Sequence, residues 1–517
     1  MAEHIYPVIL ALFMSYLLCA LAYKDSEYTV QRANEYIEEN KYSVDKTYRP
    51  HYHLKAPIGW INDPNGFIQY QGEYHLFYQY NPYSTTANKI HWGHAKSKDL
   101  YHWEDLPVAM APDHDYDSDG VFSGTTIEKD GKLYAMYTGN SPNGQVQCIA
   151  VSEDGITFDK IAENPVLKAS DLPSNAQPQD FRDPKVFKKD DIYYVATVSK
   201  TINNTGQVLL YQSSDLIQWQ FKSILLEGTE EQGIMWECPD LFELDGKDVL
   251  IISSIQMPAV GDDYRNTDTV LAFIGEIDWT SGEFHVESVK EIDHGLDFYA
   301  SQSLLDDKGR RISVSWMNMW GRSYPTADLN QGWVGAMTLP REFHIENGYL
   351  VQKPISEIAV AYVYAAILHN VTLTDKTTVI SGVAGETGQL EVIVDLSAAN
   401  SFTIEIRAAK NEKTVLRYDV LTQELSLDRS QTGVNITGSE NPPLFARQVK
   451  VPLGDNNLLS LQIFVDKSSV EVFANGGVET LTTTIYPTEE LAQGIQFVAE
   501  GEAIIQNLTY CHIDLTI

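Results

Sequence analysis

Trp60-Ile61-Asn62-Asp63-Pro64-Asn65-Gly66 is the stretch whose reading decides the fold. It sets a carboxylate and two amides beside a tryptophan, a proline and an Asn-Gly pair. Proline fixes φ and Asn-Gly tolerates positive φ, so the stretch predicts a tight turn with Asp63 held at its start. Alone, it reads equally well as an Asx-capped turn between two strands. Repetition separates the two readings.

Working outward, a turn followed by an apolar, β-branched or aromatic run recurs five times, with turn positions at 72, 131, 191, 246 and 309. The successive spacings are 59, 60, 55 and 63 residues. A second element, S-x-D-x-x-x-[W/F], follows in three units: Ser97 to Trp103, Ser152 to Phe158 and Ser213 to Trp219. A period of about 60 residues with several short strands suits one four-stranded antiparallel blade. The expected class is therefore all-β, with a five-bladed β-propeller over residues 50–345. A solenoid would show a shorter period.

The acids follow the same period. Asp63 lies nine residues before Gly72, Asp183 eight before Asp191, and Glu237 nine before Gly246. The corresponding places in the other two units are Phe122-Ser123-Gly124 and Tyr299-Ala300-Ser301. The spacing predicts three carboxylates at equivalent positions on innermost strands, converging on one axial pocket.

Two carboxylates flanking a bond, one ionised and one protonated, are what glycosidic cleavage requires. Clustering raises one another's proton affinity. Arg182 is expected to favour the ionised form of Asp183, and Trp236 to give Glu237 an apolar flank. Trp60, Trp92, Phe122, Trp236 and Trp316 suit sugar faces, while Asn62 and Gln79 suit hydroxyls. Metal readings are weaker. Asp115-Tyr116-Asp117-Ser118-Asp119-Gly120 opens like a calcium loop, but Thr126 stands where the bidentate glutamate belongs. His51, His53, His91 and His94 lack a helical H-E-x-x-H frame. No metal and no cofactor is expected.

Past Leu339-Pro340-Arg341-Glu342-Phe343 the repeat stops and strands alternate in period two, as in Leu390–Leu396 and Phe402–Ile406. An antiparallel β-sandwich over 346–517 is expected, with the boundary inside 341–365. The apolar stretch Ser356–Leu368 reads as a domain-interface element. Residues 23–49 are polar, with one exposed helix expected over Tyr28–Glu39, opened by Asp25 or Ser26. Residues 1–22 carry an apolar run ending Ala20-Leu21-Ala22, which reads as a signal peptide and predicts secretion. Four Asn-x-Thr sequons, at Asn203, Asn370, Asn435 and Asn507, agree with a secreted glycoprotein. Cys148, Cys238 and Cys511 are expected as buried free thiols.

The 517 residues are 43% hydrophobic and carry a formal net charge of −34. A surface this acidic argues against nucleic acid and anionic membranes as partners and leaves a neutral small-molecule sugar unaffected.

The motifs Trp60–Gly66, Phe122-Ser123-Gly124, Phe181-Arg182-Asp183-Pro184, Trp236-Glu237-Cys238-Pro239-Asp240 and Asp466–Phe473 together, and in this order, resemble glycoside hydrolase family 32, the invertases and fructan hydrolases. The resemblance implies a five-bladed propeller followed by a β-sandwich. It implies Asp63 as nucleophile, Glu237 as general acid/base and Asp183 as transition-state stabiliser, gripping fructose hydroxyls with Arg182. It implies further that Asn62, Gln79, Trp92, Phe122, Ser123 and Trp316 line the fructose subsite. Asp240, Tyr299 and Glu471 read as support residues. The expected activity is secreted, retaining hydrolysis of sucrose. Fructan hydrolysis or fructosyl transfer is the alternative, sucrose 6-phosphate a weaker one, and a non-catalytic sugar-binding propeller the distant one.

Overall fold

A computed structural model describes residues 27–516. The expected leader over 1–22 and the helix openers Asp25 and Ser26 lie outside them. Five antiparallel sheets form the propeller, and their innermost strands are Gly59–Tyr70, Gly120–Lys129, Ala176–Lys189, Met235–Leu244 and Tyr299–Leu305. The hairpin after each innermost strand sits where the repeat places it. In four of the five, two successive residues take positive φ: Gln71-Gly72, Asp130-Gly131, Asp190-Asp191 and Asp245-Gly246. Such turns match the right-handed twist of the flanking strands, which accounts for the Gly and Asp content. The S-x-D motif also has a cause. In the first copy Ser97 Oγ accepts from Leu100 N at 2.8 Å, Asp99 Oδ1 accepts from His102 N at 2.8 Å, and Trp103 Nε1 donates to Leu100 O at 3.0 Å. This turn carries the third strand into the fourth.

The ring closes where Trp333–Val334 pairs in parallel with Gly59 and Trp60. The last strand of the fifth blade is Tyr349–Pro354. The propeller therefore runs past residue 345, because stopping there would strip that sheet of its edge strand. A 3₁₀ turn over Ser356–Ala361 leads into the second domain.

In that domain two long bent strands, Gly388–Ala408 and Gly494–Ile513, pair with each other along both halves. Register shifts around Asp395–Ser401 bend them, so each half belongs to a different sheet of the sandwich. Leu458–Asp466 pairs with the first half of Gly388–Ala408, and Thr414–Asp419 with the second. The interior is mostly aliphatic, with Val392, Ile404 and Leu459 fully buried beside the aromatic Phe402 and Phe497. The stretch after residue 355 divides. Ile358 and Ala361 are buried in the apolar cluster that joins the two domains, whereas Tyr364 and Ile367 are 63% and 58% exposed on an outer strand.

The N-terminal helix, α1 (Val30–Asn40), is capped by Thr29, whose hydroxyl accepts from Arg32 N. It is not fully exposed as expected, since Ala33 and Ile37 are buried against the propeller. Among the described residues no helix is long and apolar enough to cross a membrane. Cys148, Cys238 and Cys511 are buried free thiols.

Candidate active site

The opening motif is not a turn. Trp60–Gly66 lies within one strand whose register slips twice, between Ile61 and Pro64 and between Asn65 and Ile68. Pro64 is tolerated beside the first slip, and Gly66 at φ 53° meets Phe77 and Thr126 so closely that a Cβ would lie 2.7 Å from each. Every innermost strand slips at this height: around Ser123, between Arg182 and Lys185, between Glu237 and Asp240, and between Tyr299 and Gln302. Bulges bend a strand and re-aim its side chains. Here they turn five sets of side chains toward the axis. Asp183, Cys238 and Ala300, at φ 61°, 49° and 54°, occupy the left-handed region that non-glycine residues rarely take.

The bulges produce two tiers, not the single level that spacing predicts. Asp63, Ser123, Asp183 and Cys238 sit in the bulges themselves. Ser123 Oγ donates to Asp63 Oδ2 at 2.6 Å, and Asn62 Nδ2 donates to Asp63 Oδ1 at 3.0 Å. Cys238 N donates to Asp183 Oδ2 at 2.9 Å, and its Sγ lies 3.5 Å from Asp63 Oδ2 and 3.7 Å from Asp183 Oδ2. Glu237 comes one residue before its bulge, as Arg182 and Tyr299 do in the neighbouring blades. These three form the second tier. Arg182 Nε donates to Glu237 Oε1 at 3.1 Å, and Tyr299 OH donates to Glu237 Oε2 at 2.6 Å.

This corrects two electrostatic expectations. Arg182 binds Glu237, Asp180 and Gln145 directly, leaving Asp183 only its field. Burial pushes the Asp183 carboxyl up; Arg182 counters this, and Glu237 and Asp63 push it further up. Asp63 is raised too, by burial first and then by the charge of Glu237. Trp236 gives Glu237 no apolar flank, because its indole turns into the core, where a Cβ at Gly206 or Gly228 would strike it.

The tiers enclose a cavity of about 300 Å³ lined by Asn62, Asp63, Gln79, Phe122, Ser123, Arg182, Asp183 and Glu237, with Ala87, Ile90, Gln145 and Trp320. Trp92 and Trp316 do not line it. Both are fully buried, Trp92 donating to Phe122 O at 3.0 Å behind the wall and Trp316 packing on Trp60 and Trp320. Trp60 is buried as well, and its Nε1 donates to Asn62 Oδ1 at 2.8 Å. Trp320 takes the aromatic place instead. It lies just past the strand that Trp316 ends, and the two tryptophans four apart were the available signal. Gln145 left none, since it comes from the third strand of its blade. Asp268 was also missed; it is buried, and burial and then the Glu237 charge raise its carboxyl to about 7.

The support residues separate. Tyr299 is in the site. Asp240 is buried further down the channel, 2.6 Å from Lys185 Nζ. Glu471 is at the domain interface, bound to His53 and Arg341. The loop resembling a calcium site folds around a lysine: Lys160 Nζ lies 2.6 Å from both Asp113 and Asp117.

Comparison with known proteins bears on this arrangement. The model of the glycosyl hydrolases family 32 N-terminal domain matches residues 53–354, and that of the family's C-terminal domain residues 364–512. A sucrose-6-phosphate hydrolase of Escherichia coli is 35% identical over 472 residues, 89% of this chain and 94% of the relative. A raffinose invertase of Escherichia coli is 35% identical over 474 residues, 90% of this chain and 94% of the relative. Among solved structures, a Bombyx mori GH32 beta-fructofuranosidase is 32% identical with a TM-score of 0.79, covering 94% of this chain and 98% of that one. A mutant of that enzyme in complex with sucrose is also similar, at a TM-score of 0.78.

Proposed function

The chain belongs to glycoside hydrolase family 32, and from that premise we propose that it is a retaining β-fructofuranosidase hydrolysing sucrose to glucose and fructose. The observation that carries this is the two-tier set of carboxylates in one small cavity. Asp63 attacks the fructosyl anomeric carbon while Glu237 gives a proton to the glycosidic oxygen, and glucose leaves. Water then attacks the fructosyl–Asp63 ester, Glu237 takes its proton, and fructose leaves with Asp63 restored. Ser123 and Asn62, donating one hydrogen bond to each oxygen of Asp63, fix the rotamer from which it attacks. Tyr299 and Arg182 do the same for Glu237. Asp183, at positive φ and anchored by Cys238 N, faces the sugar hydroxyls.

The cavity wall supports unphosphorylated sucrose. Among its lining residues the one cation is Arg182, already engaged by Glu237 and Asp180, beside three carboxylates. A phosphate dianion would meet repulsion there with no free counter-charge. Sucrose bound to the mutant Bombyx enzyme supports the same substrate class.

The test is glucose and fructose release from sucrose, with sucrose 6-phosphate, inulin and levan alongside. Equal release of both sugars from sucrose is expected, falling roughly 10⁴-fold in Asp63→Ala. Near-normal turnover by folded Asp63→Ala protein would sink the proposal, and glucose in excess with longer oligosaccharides would mark a transferase. We infer export as well, because the apolar run in residues 1–22 is joined by four sequon asparagines that are all exposed where the chain is described. Protein that stays in the cells, begins at Met1 and keeps its mass under peptide-N-glycosidase would overturn this.

A further inference from the structure

The strands that carry the acids continue to the opposite mouth of the same channel, and a second cavity lies there. It measures about 600 Å³, against about 300 Å³ for the first. All five innermost strands contribute, through Phe67, Thr126, Lys185, Phe242 and Ser303. The two cavities share no lining residue, so they are separate sites.

The floor is polar and incompletely satisfied. Lys185 Nζ donates to Ser303 O at 3.0 Å and lies 2.6 Å from Asp240, which neutralises it. Arg311 lies over the Phe242 ring at 4.5 Å, and among the described residues it has no carboxylate within ion-pair distance. Its Nε and the hydroxyl of the buried Ser303 have no hydrogen-bond partner in the protein. Both atoms are shielded from solvent, so the part of Arg311 that a bound molecule can reach is the rest of its guanidinium, which lines the cavity. The wall beside them is aromatic, with Phe187 and Trp279 edge to face at 6.0 Å.

Charge decides between ligand classes. The lining holds four cations (Lys185, Lys188, Lys189 and Arg311) and three anions (Glu243, Asp245 and Asp248), and Asp240 behind Lys185 brings the balance to zero. The chain as a whole carries −34. An anion gains little in such a place. A neutral molecule with vicinal hydroxyls and apolar C–H faces satisfies both floor and wall.

We propose that the mouth opposite the catalytic pocket is a second, non-catalytic binding site for a neutral saccharide, with Arg311 meeting its hydroxyls and Trp279 its apolar face. Titration calorimetry of the full Asp63→Ala protein with sucrose and with fructose counts the sites without turnover. A saturable site that Arg311→Met weakens at least tenfold is expected. Leu305→Trp, which fills the mouth from a 58% exposed position without touching the floor, is expected to weaken it likewise. Neither change made in the otherwise wild-type chain is expected to alter its turnover at the first cavity. The count rests on the binding that Arg311→Met removes, so it stays readable even if the catalytic pocket prefers another sugar. Persistence of all sugar binding in either variant overturns the proposal. So does saturable inorganic phosphate binding that Arg311→Met abolishes and sugars do not displace, which would make this an anion site.

Discussion

The candidate active-site pocket and the domain interface are built from half-buried and buried carboxylates, and they differ in the counter-charges around them. At the interface Asp466 and Glu471 share His53, at 2.7 and 2.8 Å from its two ring nitrogens. Arg341 joins Glu471 to Asp293, and Arg429 and Arg322 converge on Asp297. The hydroxyls of Thr480 and Thr482 donate to the Asp293 oxygen that Arg341 binds, and that of Thr484 to the Asp297 oxygen that Arg429 binds. Burial pushes Asp297, Asp466 and Glu471 up as it does carboxyls in the pocket, but at Asp466 the hydrogen bond and charge of His53 more than offset it, holding the group at about 2. In the pocket three acids share one guanidinium, and Asp63 and Asp183 are raised. The same residue type is a lock where cations match it and a proton-binding group where they do not.

Neutralising each cluster tests this contrast most sharply. Asp183→Asn is expected to lower turnover roughly 10³-fold or more while raising stability at pH 7 by about 1 kcal/mol. The sign follows from a folded carboxyl raised above its unfolded value: the proton is lost more readily on unfolding, so the ionised form costs the fold above about pH 4. A lower melting temperature for this variant would break the contrast. The reverse is expected for Arg341→Met, which strands Asp293 without a cation and leaves Glu471 with His53 alone. It should cost about 3–5 kcal/mol in urea unfolding and leave kcat within about threefold below the transition.

The pH dependence sharpens it further. Burial lowers His53, but Asp466 and Glu471 hold it up to about 9, above its unfolded value. That contribution is complete below about pH 6.5 and disappears as pH rises through 9. The Asp466 contribution is complete above about pH 4 and disappears as pH falls through 2. The urea-midpoint advantage of the native protein over His53→Gln should therefore shrink between about pH 6.5 and pH 9; a constant gap would contradict the interface account. The smallest effect concerns the pocket wall. Trp320→Ala is expected to raise KM for sucrose roughly tenfold with kcat little changed, whereas Trp316→Phe should change stability and not KM.

The repeat was legible because hairpin turns leave local marks. Gly72, Asp191 and Gly246 stand where positive φ is required, and such residues recur at blade spacing whatever the core does. The acids were legible as a set for the same reason. Their levels were not, because a bulge is a mismatch between two strands and appears in neither strand alone. Spacing therefore put Glu237 beside Asp63 and Asp183 when it belongs with Arg182 and Tyr299. The tryptophans failed differently. An aromatic beside a motif is as readily core as wall, and Trp60, Trp92, Trp236 and Trp316 are core. The role of Glu471 was hidden because its partners, His53 and Arg341, come from the far end of the chain and from the last blade.

By itself the sequence determined the blade count and the set of three acids, which rest on local turn chemistry repeated at fixed intervals, and the two-domain order, which rests on where that repeat gives way to period-two strands. Only the tertiary structure decided which acid faces which neighbour, which tryptophan meets the cavity, and which buried carboxylates bind protons and which bind domains. Those outcomes depend on distances between strands far apart in the chain, and electrostatics in a buried site follows distance and burial, not sequence separation.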